Sequence, residues 1–171
     1  MKNCKSHILF ISVAALLYIP GCTTDRSYDS PNQMVSYAKQ EIHTISAREF
    51  REIMGRGDNF KLIDCREADE AGAGHMPGAI NIPRGLLEFE ITKLYPLRGT
   101  KIYIYCETGE RSALAAETLQ TMKYSNVTSI EGGWNVWAKA YPDKIELKYS
   151  KKETTKDAKE EAVTGGGSCG G

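Results

Sequence analysis

Lys101-Ile102-Tyr103-Ile104-Tyr105-Cys106-Glu107-Thr108-Gly109-Glu110-Arg111 is the stretch that decides the fold. Four of its first five residues are β-branched or aromatic, which reads as a buried strand. After Arg111 comes Ser112-Ala113-Leu114-Ala115-Ala116, rich in helix formers, so a helix is expected over roughly 111–122. A strand that passes through a short polar loop into a helix is the repeating unit of an open α/β sheet. Ligands of such sheets bind beyond the carboxyl ends of the strands. Cys106 stands at that end.

The loop carries its own chemistry. Backbone N–H groups leading into a helix can converge on the sulfur, and the helix N-terminus adds partial positive charge. Gly109 allows the backbone angles that a tight cradle needs, and Arg111 supplies a fixed cation. Each feature favours thiolate over thiol, and a thiolate or persulfide anion is the expected occupant of such a nest. Against this stands the plainer reading of a buried packing cysteine at a strand end.

Outward from the loop, strands and helices alternate. Short strands are expected at 42–45, 60–64, 78–83 and 126–130, beside the one at 101–105. Ser46 and Glu49 have capping-box spacing before Phe50, Ile53 and Met54, and Gly55 and Gly57 end that helix. A further helix is expected over 86–94, and Gly132-Gly133 opens a last one carrying Trp134 and Trp137. The class is α/β: a five-stranded parallel sheet flanked by helices on both faces.

The chain has 171 residues, enough for one domain with appendages. With 22 basic and 22 acidic side chains and no basic block rich in aromatics, nothing suggests a nucleic-acid partner. Lys2 and Lys5 precede an apolar run from Ile8 to Ile19, which reads as a signal peptide over 1–21. Ile19-Pro20-Gly21-Cys22 resembles a bacterial lipobox. That resemblance implies lipidation of Cys22 and a periplasm-facing anchor in the cell envelope, on either the inner or the outer membrane. Residues 22–40 read as a tether in which 32–40 could begin a short helix, and 41–145 as the folded domain. Residues 146–171 read as a flexible tail.

Three ordered motifs resemble those of rhodanese domains. They are Asp64-Cys65-Arg66-Glu67 with Gly74-His75-Met76-Pro77-Gly78, the loop from Cys106 to Arg111, and Glu131-Gly132-Gly133-Trp134 with Trp137 and Pro142. The resemblance implies the rhodanese fold and transfer of sulfane sulfur through a persulfide on Cys106, without a cofactor. A small donor (thiosulfate, a persulfide or a polysulfide) would load it. A thiol, cyanide or a protein acceptor would unload it. Four residues separate Cys106 from Arg111, one fewer than in the related cell-cycle phosphatases, so the loop suits a single sulfur better than a phosphate. The resemblance also places His75 in a structural turn.

Around the cysteine, Glu107, Thr108, Gly109, Glu110 and Arg111 form the active loop, and Asp64 and Arg66 are expected to pair or brace it. Glu107 and Glu110 would repel the thiosulfate dianion and favour a persulfide, polysulfide or protein donor, unless both face solvent. Cys65 either approaches the loop or packs in the core, with packing preferred. Cys169 ends a tail that could reach on the order of 25 Å and is read as a mobile redox partner. Trp134 and Trp137 are read as packing, and no cluster has metal-ligand spacing. Two other functions compete: a non-catalytic binding or redox-sensing module, and a thiol–disulfide protein using Cys106 with Cys169 or Cys65.

Overall fold

The computed structural model describes residues 26–147. Strands β1 (His43–Ser46), β2 (Lys61–Asp64), β3 (Ala79–Asn81), β4 (Ile102–Tyr105) and β5 (Val127–Glu131) form one sheet. Its order is β1-β5-β4-β2-β3, and every neighbouring pair is parallel. The helices are α1 (Pro31–Glu41), α2 (Ala47–Gly55), α3 (Ala68–Gly72), α4 (Leu87–Leu94), α5 (Glu110–Thr121) and α6 (Gly133–Ala140). The expected α/β class and five-stranded parallel sheet are what the chain forms.

Strand alternation sorts the core onto two faces. Ile102, Ile104 and Cys106 point to one side with Ile63 and Cys65, where Leu87 and Ile91 of α4 and Ala115, Ala116 and Leu119 of α5 cover them. Leu62, Tyr103 and Tyr105 point to the other, under Phe50 of α2 and Trp137 of α6. Phe50 is the hub of that second layer, with ring centroids 5.1 Å from Tyr103 and 6.0 Å from Trp137. The alanines of α5 let its backbone lie close over β4, which brings the helix start to the strand end. The α2 capping box forms as its spacing implies: Ser46 N–H donates to Glu49 Oε2 at 2.8 Å, and Glu49 N–H to Ser46 Oγ at 3.2 Å.

The short helix that could begin over 32–40 forms and spans Pro31–Glu41, while two other features differ from the sequence expectation. Ser30 accepts from Gln33 N–H, Pro31 takes the first turn where its missing N–H costs nothing, and the helix packs on α5 with Ala38 buried. Helix α3 was not anticipated; its five residues lack apolar periodicity, and Glu67 N–H donating to Glu70 Oε2 at 2.9 Å secures its start. At the other end, Glu146 belongs to the domain. Its backbone exchanges hydrogen bonds with His75 at 2.9 and 3.0 Å, and its carboxylate lies 3.4 Å from His75 Nε2. His75 is buried in this turn. The stretch read as a signal peptide, Cys22, Cys169 and the rest of residues 148–171 lie outside the described residues.

Candidate active site

β4 delivers Cys106 to the carboxyl end of the sheet and α5 begins four residues later. Between them Gly109 takes φ +95°, which turns its N–H inward to donate to Cys106 Sγ at 3.1 Å. Ser112, in the first turn of α5, also lowers the Cys106 pKa through its backbone N–H and its hydroxyl. That hydroxyl is aimed by Ser129 of β5, whose own O–H donates to Ser112 Oγ at 2.9 Å. Sequence reasoning missed Ser112; its position one residue past the loop, on the inward face of a helix start, was the available signal.

Cys65 completes the site from the neighbouring strand. Asp64 of β2 is in register with Tyr105 of β4, and Cys65 N–H donates to the Tyr105 carbonyl at 2.9 Å. The next pair along is therefore Cys65 and Cys106, both on the α4–α5 face and both fully buried. The Cys65 thiol is the strongest influence lowering the Cys106 pKa, and Cys106 in turn raises that of Cys65. The two readings of Cys65, loop contact and core packing, are thus both met by one position.

These donors set the charge state. The Cys65 thiol, opposed by burial and reinforced by Ser112 and the Gly109 amide, holds Cys106 at a pKa of about 5. The same pairing, with burial behind it, pushes the Cys65 thiol well above its usual range. Cys106 is the thiolate of the pair because the loop amides and helix start converge on it, whereas Asp64 lies beside Cys65.

The loop is held open from outside by α6. Trp134 N–H donates to the Cys106 carbonyl at 2.8 Å and Asn135 N–H to the Glu107 carbonyl at 3.0 Å. Drawing those carbonyls outward leaves the amides facing the sulfur. Gly133 passes against the Cys106 carbonyl where a Cβ could not fit. The Gly-Gly-Trp stretch therefore does more than start a helix.

The expected cation, Arg111, lies within electrostatic reach of Cys106 but is engaged by a carboxylate. Arg111 makes a two-pronged ion pair with Glu70 of α3, at 2.8 and 2.7 Å, while Glu107 lies 3.8 Å away. The pairing holds Glu70 at a pKa of about 2 and raises that of Arg111. Glu70 was not foreseen. Glu107, Thr108 and Glu110 are exposed, so of the two loop carboxylates only Glu107 turns toward Arg111.

Asp64 and Arg66 do pair, and they are buried. Arg66 Nη2 reaches Asp64 Oδ2 and the Gly74 carbonyl at 2.6 Å each, and Tyr105 O–H donates to Asp64 Oδ2 at 2.8 Å. The guanidinium stacks 4.6 Å over Trp134. The pair thus braces the 74–76 turn, and it meets the active loop through Tyr105, which precedes Cys106, and through Trp134, whose amide grips the Cys106 carbonyl. Among the described residues no three His, Cys, Asp or Glu side chains gather as a metal site.

A model of the rhodanese-like domain matches residues 46–140. The chain is 30% identical over 96 residues to a putative sulfur carrier protein, YrkF, of Bacillus subtilis, covering 56% of this chain and 51% of that one. It is also 30% identical over 118 residues to the thiosulfate:glutathione sulfurtransferase of Saccharomyces cerevisiae, covering 62% of this chain and 85% of that one. Among solved structures, a Rhodopseudomonas palustris protein described as a possible tyrosine phosphatase superposes with a TM-score of 0.62. Its identity is 30%, over 67% of this chain and 92% of that one.

Proposed function

The chain belongs to the rhodanese-like family, and from that premise we propose that it is a sulfurtransferase working through a persulfide on Cys106. The observation that carries this reading is the sulfur's surroundings: Gly109 N–H donates to Sγ at 3.1 Å, and with Cys65 on the next strand and Ser112 at the helix start it holds Cys106 at a pKa of about 5. At neutral pH Cys106 is a thiolate, the form that attacks the outer sulfur of a donor. That sulfur then becomes Cys106-S–S⁻ and the donor leaves as a thiolate or as sulfite. The amides that stabilised the thiolate stabilise the persulfide anion, and an acceptor thiolate or cyanide removes the outer sulfur and regenerates Cys106. Arg111, tied to Glu70, positions the loop and has little charge to spare for a dianion. This favours persulfide or polysulfide donors over thiosulfate.

The phosphatase description of the structural neighbour has less support in this chain. A tetrahedral phosphate needs room and an arginine fork to hold it. Here the cradle closes on a sulfur with no exposed surface, and the fork is engaged by Glu70.

Lipidation at Cys22 completes the proposal as an envelope-anchored, periplasm-facing protein, on the strength of the signal-peptide and lipobox pattern. The YrkF name raises a protein acceptor as one outlet for the sulfur. The test is turnover: with cyanide as acceptor, the full chain should make thiocyanate and Cys106→Ser should make none. Equal thiocyanate from both would overturn the reading.

A further inference from the structure

Cys65 favours the Cys106 thiolate, and it is also placed where it can end sulfur transfer. Its strand lies beside that of Cys106, the two residues follow directly on the registered pair Asp64 and Tyr105, and both face the same core layer. Adjacent strands run about 4.8 Å apart, inside the Cα separation of roughly 4.4–6.8 Å that a disulfide spans. Gly109 N–H reaches the sulfur from the loop that follows Cys106, whereas Cys65 lies on the next strand, its N–H bonded to the Tyr105 carbonyl. A persulfide held in the loop therefore leaves the inner sulfur beside Cys65.

We propose that Cys65 is a resolving thiol, so that this site also reduces persulfide sulfur to hydrosulfide. The inference rests on the Cys106 persulfide reading. Cys65 Sγ attacks Cys106 Sγ, the bond between the inner and outer sulfurs breaks, and the outer sulfur leaves with the Cys65 proton as HS⁻. A Cys65–Cys106 disulfide remains. The sulfane sulfur is reduced by two electrons and the two cysteines are oxidised by the same two, so no other oxidant enters. Two equivalents of a small thiol, such as glutathione, then reduce the disulfide and become its own disulfide.

The proton on Cys65 has a role in this step. The thiol, its pKa raised beside Cys106, stays protonated until sulfur arrives, and then supplies the proton that makes the outer sulfur a better leaving group. Transfer to an external acceptor and internal resolution thus compete for one persulfide. When acceptor is scarce, the sulfur leaves as hydrosulfide and the enzyme rests as a disulfide.

The test uses the full chain carrying Cys169→Ser, loaded anaerobically with glutathione persulfide, cleared of small thiols, and mapped by proteolysis and mass spectrometry. Cys106→Ser corrects for spontaneous donor decay. With Cys65 present, the expected product is the linked Cys65–Cys106 peptide, with hydrosulfide released. With Cys65→Ser, which keeps the hydrogen-bond donor, Cys106 should retain its extra sulfur and hydrosulfide release should fall at least about tenfold. Cys65→Ala provides the same comparison without the donor. If the parent keeps its persulfide as long as Cys65→Ser does and releases no hydrosulfide, the resolving role is overturned while sulfur transfer stands. If Cys106 gains no sulfur in any variant, the persulfide reading falls and this inference falls with it.

Discussion

Gly133 lies against the carbonyl of Cys106: a Cβ built on it would overlap that oxygen and sit 2.9 Å from the carbonyl carbon. Its φ is +51°, so a side chain would be strained even without the clash. Replacing it tests whether the grip of α6 on the loop matters. Gly133→Ala should lose about 2–4 kcal/mol, from left-handed strain together with forced repacking. Urea unfolding reads the stability. Alkylation of Cys106 should show its pKa rising as the loop amides turn away.

The pH dependence follows from the same amides. The Cys106 pKa is lowered to about 5, so the thiolate is present above that pH and lost below it. Iodoacetamide alkylation should rise with a midpoint near pH 5 and be flat from roughly pH 6.5 upward. Because the folded-state value is depressed, the stability contributed by this ionisation is complete above the ordinary thiol range. It declines as the pH falls toward about 5. Ser112→Ala should move the alkylation midpoint up by about one unit; an unmoved midpoint would remove the Ser112 hydroxyl from the site.

Glu70 should set donor preference. Its ion pair occupies both prongs of Arg111, and a dianion entering the cleft must compete with it. Glu70→Gln should raise loading from thiosulfate by roughly threefold to tenfold, with a smaller change for glutathione persulfide. Glu107→Gln should act weakly in the same direction, and Glu110→Gln hardly at all, since Glu110 faces solvent. Equal effects on both donors would mean that Glu70 only positions the loop.

The buried pair of Asp64 and Arg66 is the structural brace. Asp64→Asn leaves a guanidinium uncompensated in the core and releases Tyr105 O–H from its acceptor. The expected loss is about 3–5 kcal/mol in urea unfolding. A loss under about 1 kcal/mol would show that water or the Gly74 carbonyl suffices for Arg66.

Much of this was legible in the chain because the signals were local. The β-branched and aromatic run into Cys106, the capping box at Ser46 and Glu49, and the alanine-rich α5 each specify an element within a few residues. What escaped came from sheet order. Glu70 meets Arg111 because β2 lies beside β4, and residues 41 apart carry no local signal for contact, whereas for Cys65 strand adjacency left loop approach and core packing both open. Helix α3 is too short to show periodicity. The role of Gly133 depends on α6 docking against the loop, a relation between the third motif and the second that neither motif displays alone.

The central claim is that one sulfur atom travels on Cys106. Intact mass of the full chain with Cys65→Ser, before and after donor and then after cyanide, tests it directly. The sulfur-transfer reading predicts a gain of about 32 Da that maps to Cys106 and disappears with cyanide. No gain with thiosulfate or glutathione persulfide, or a gain that persists in Cys106→Ser, would contradict it.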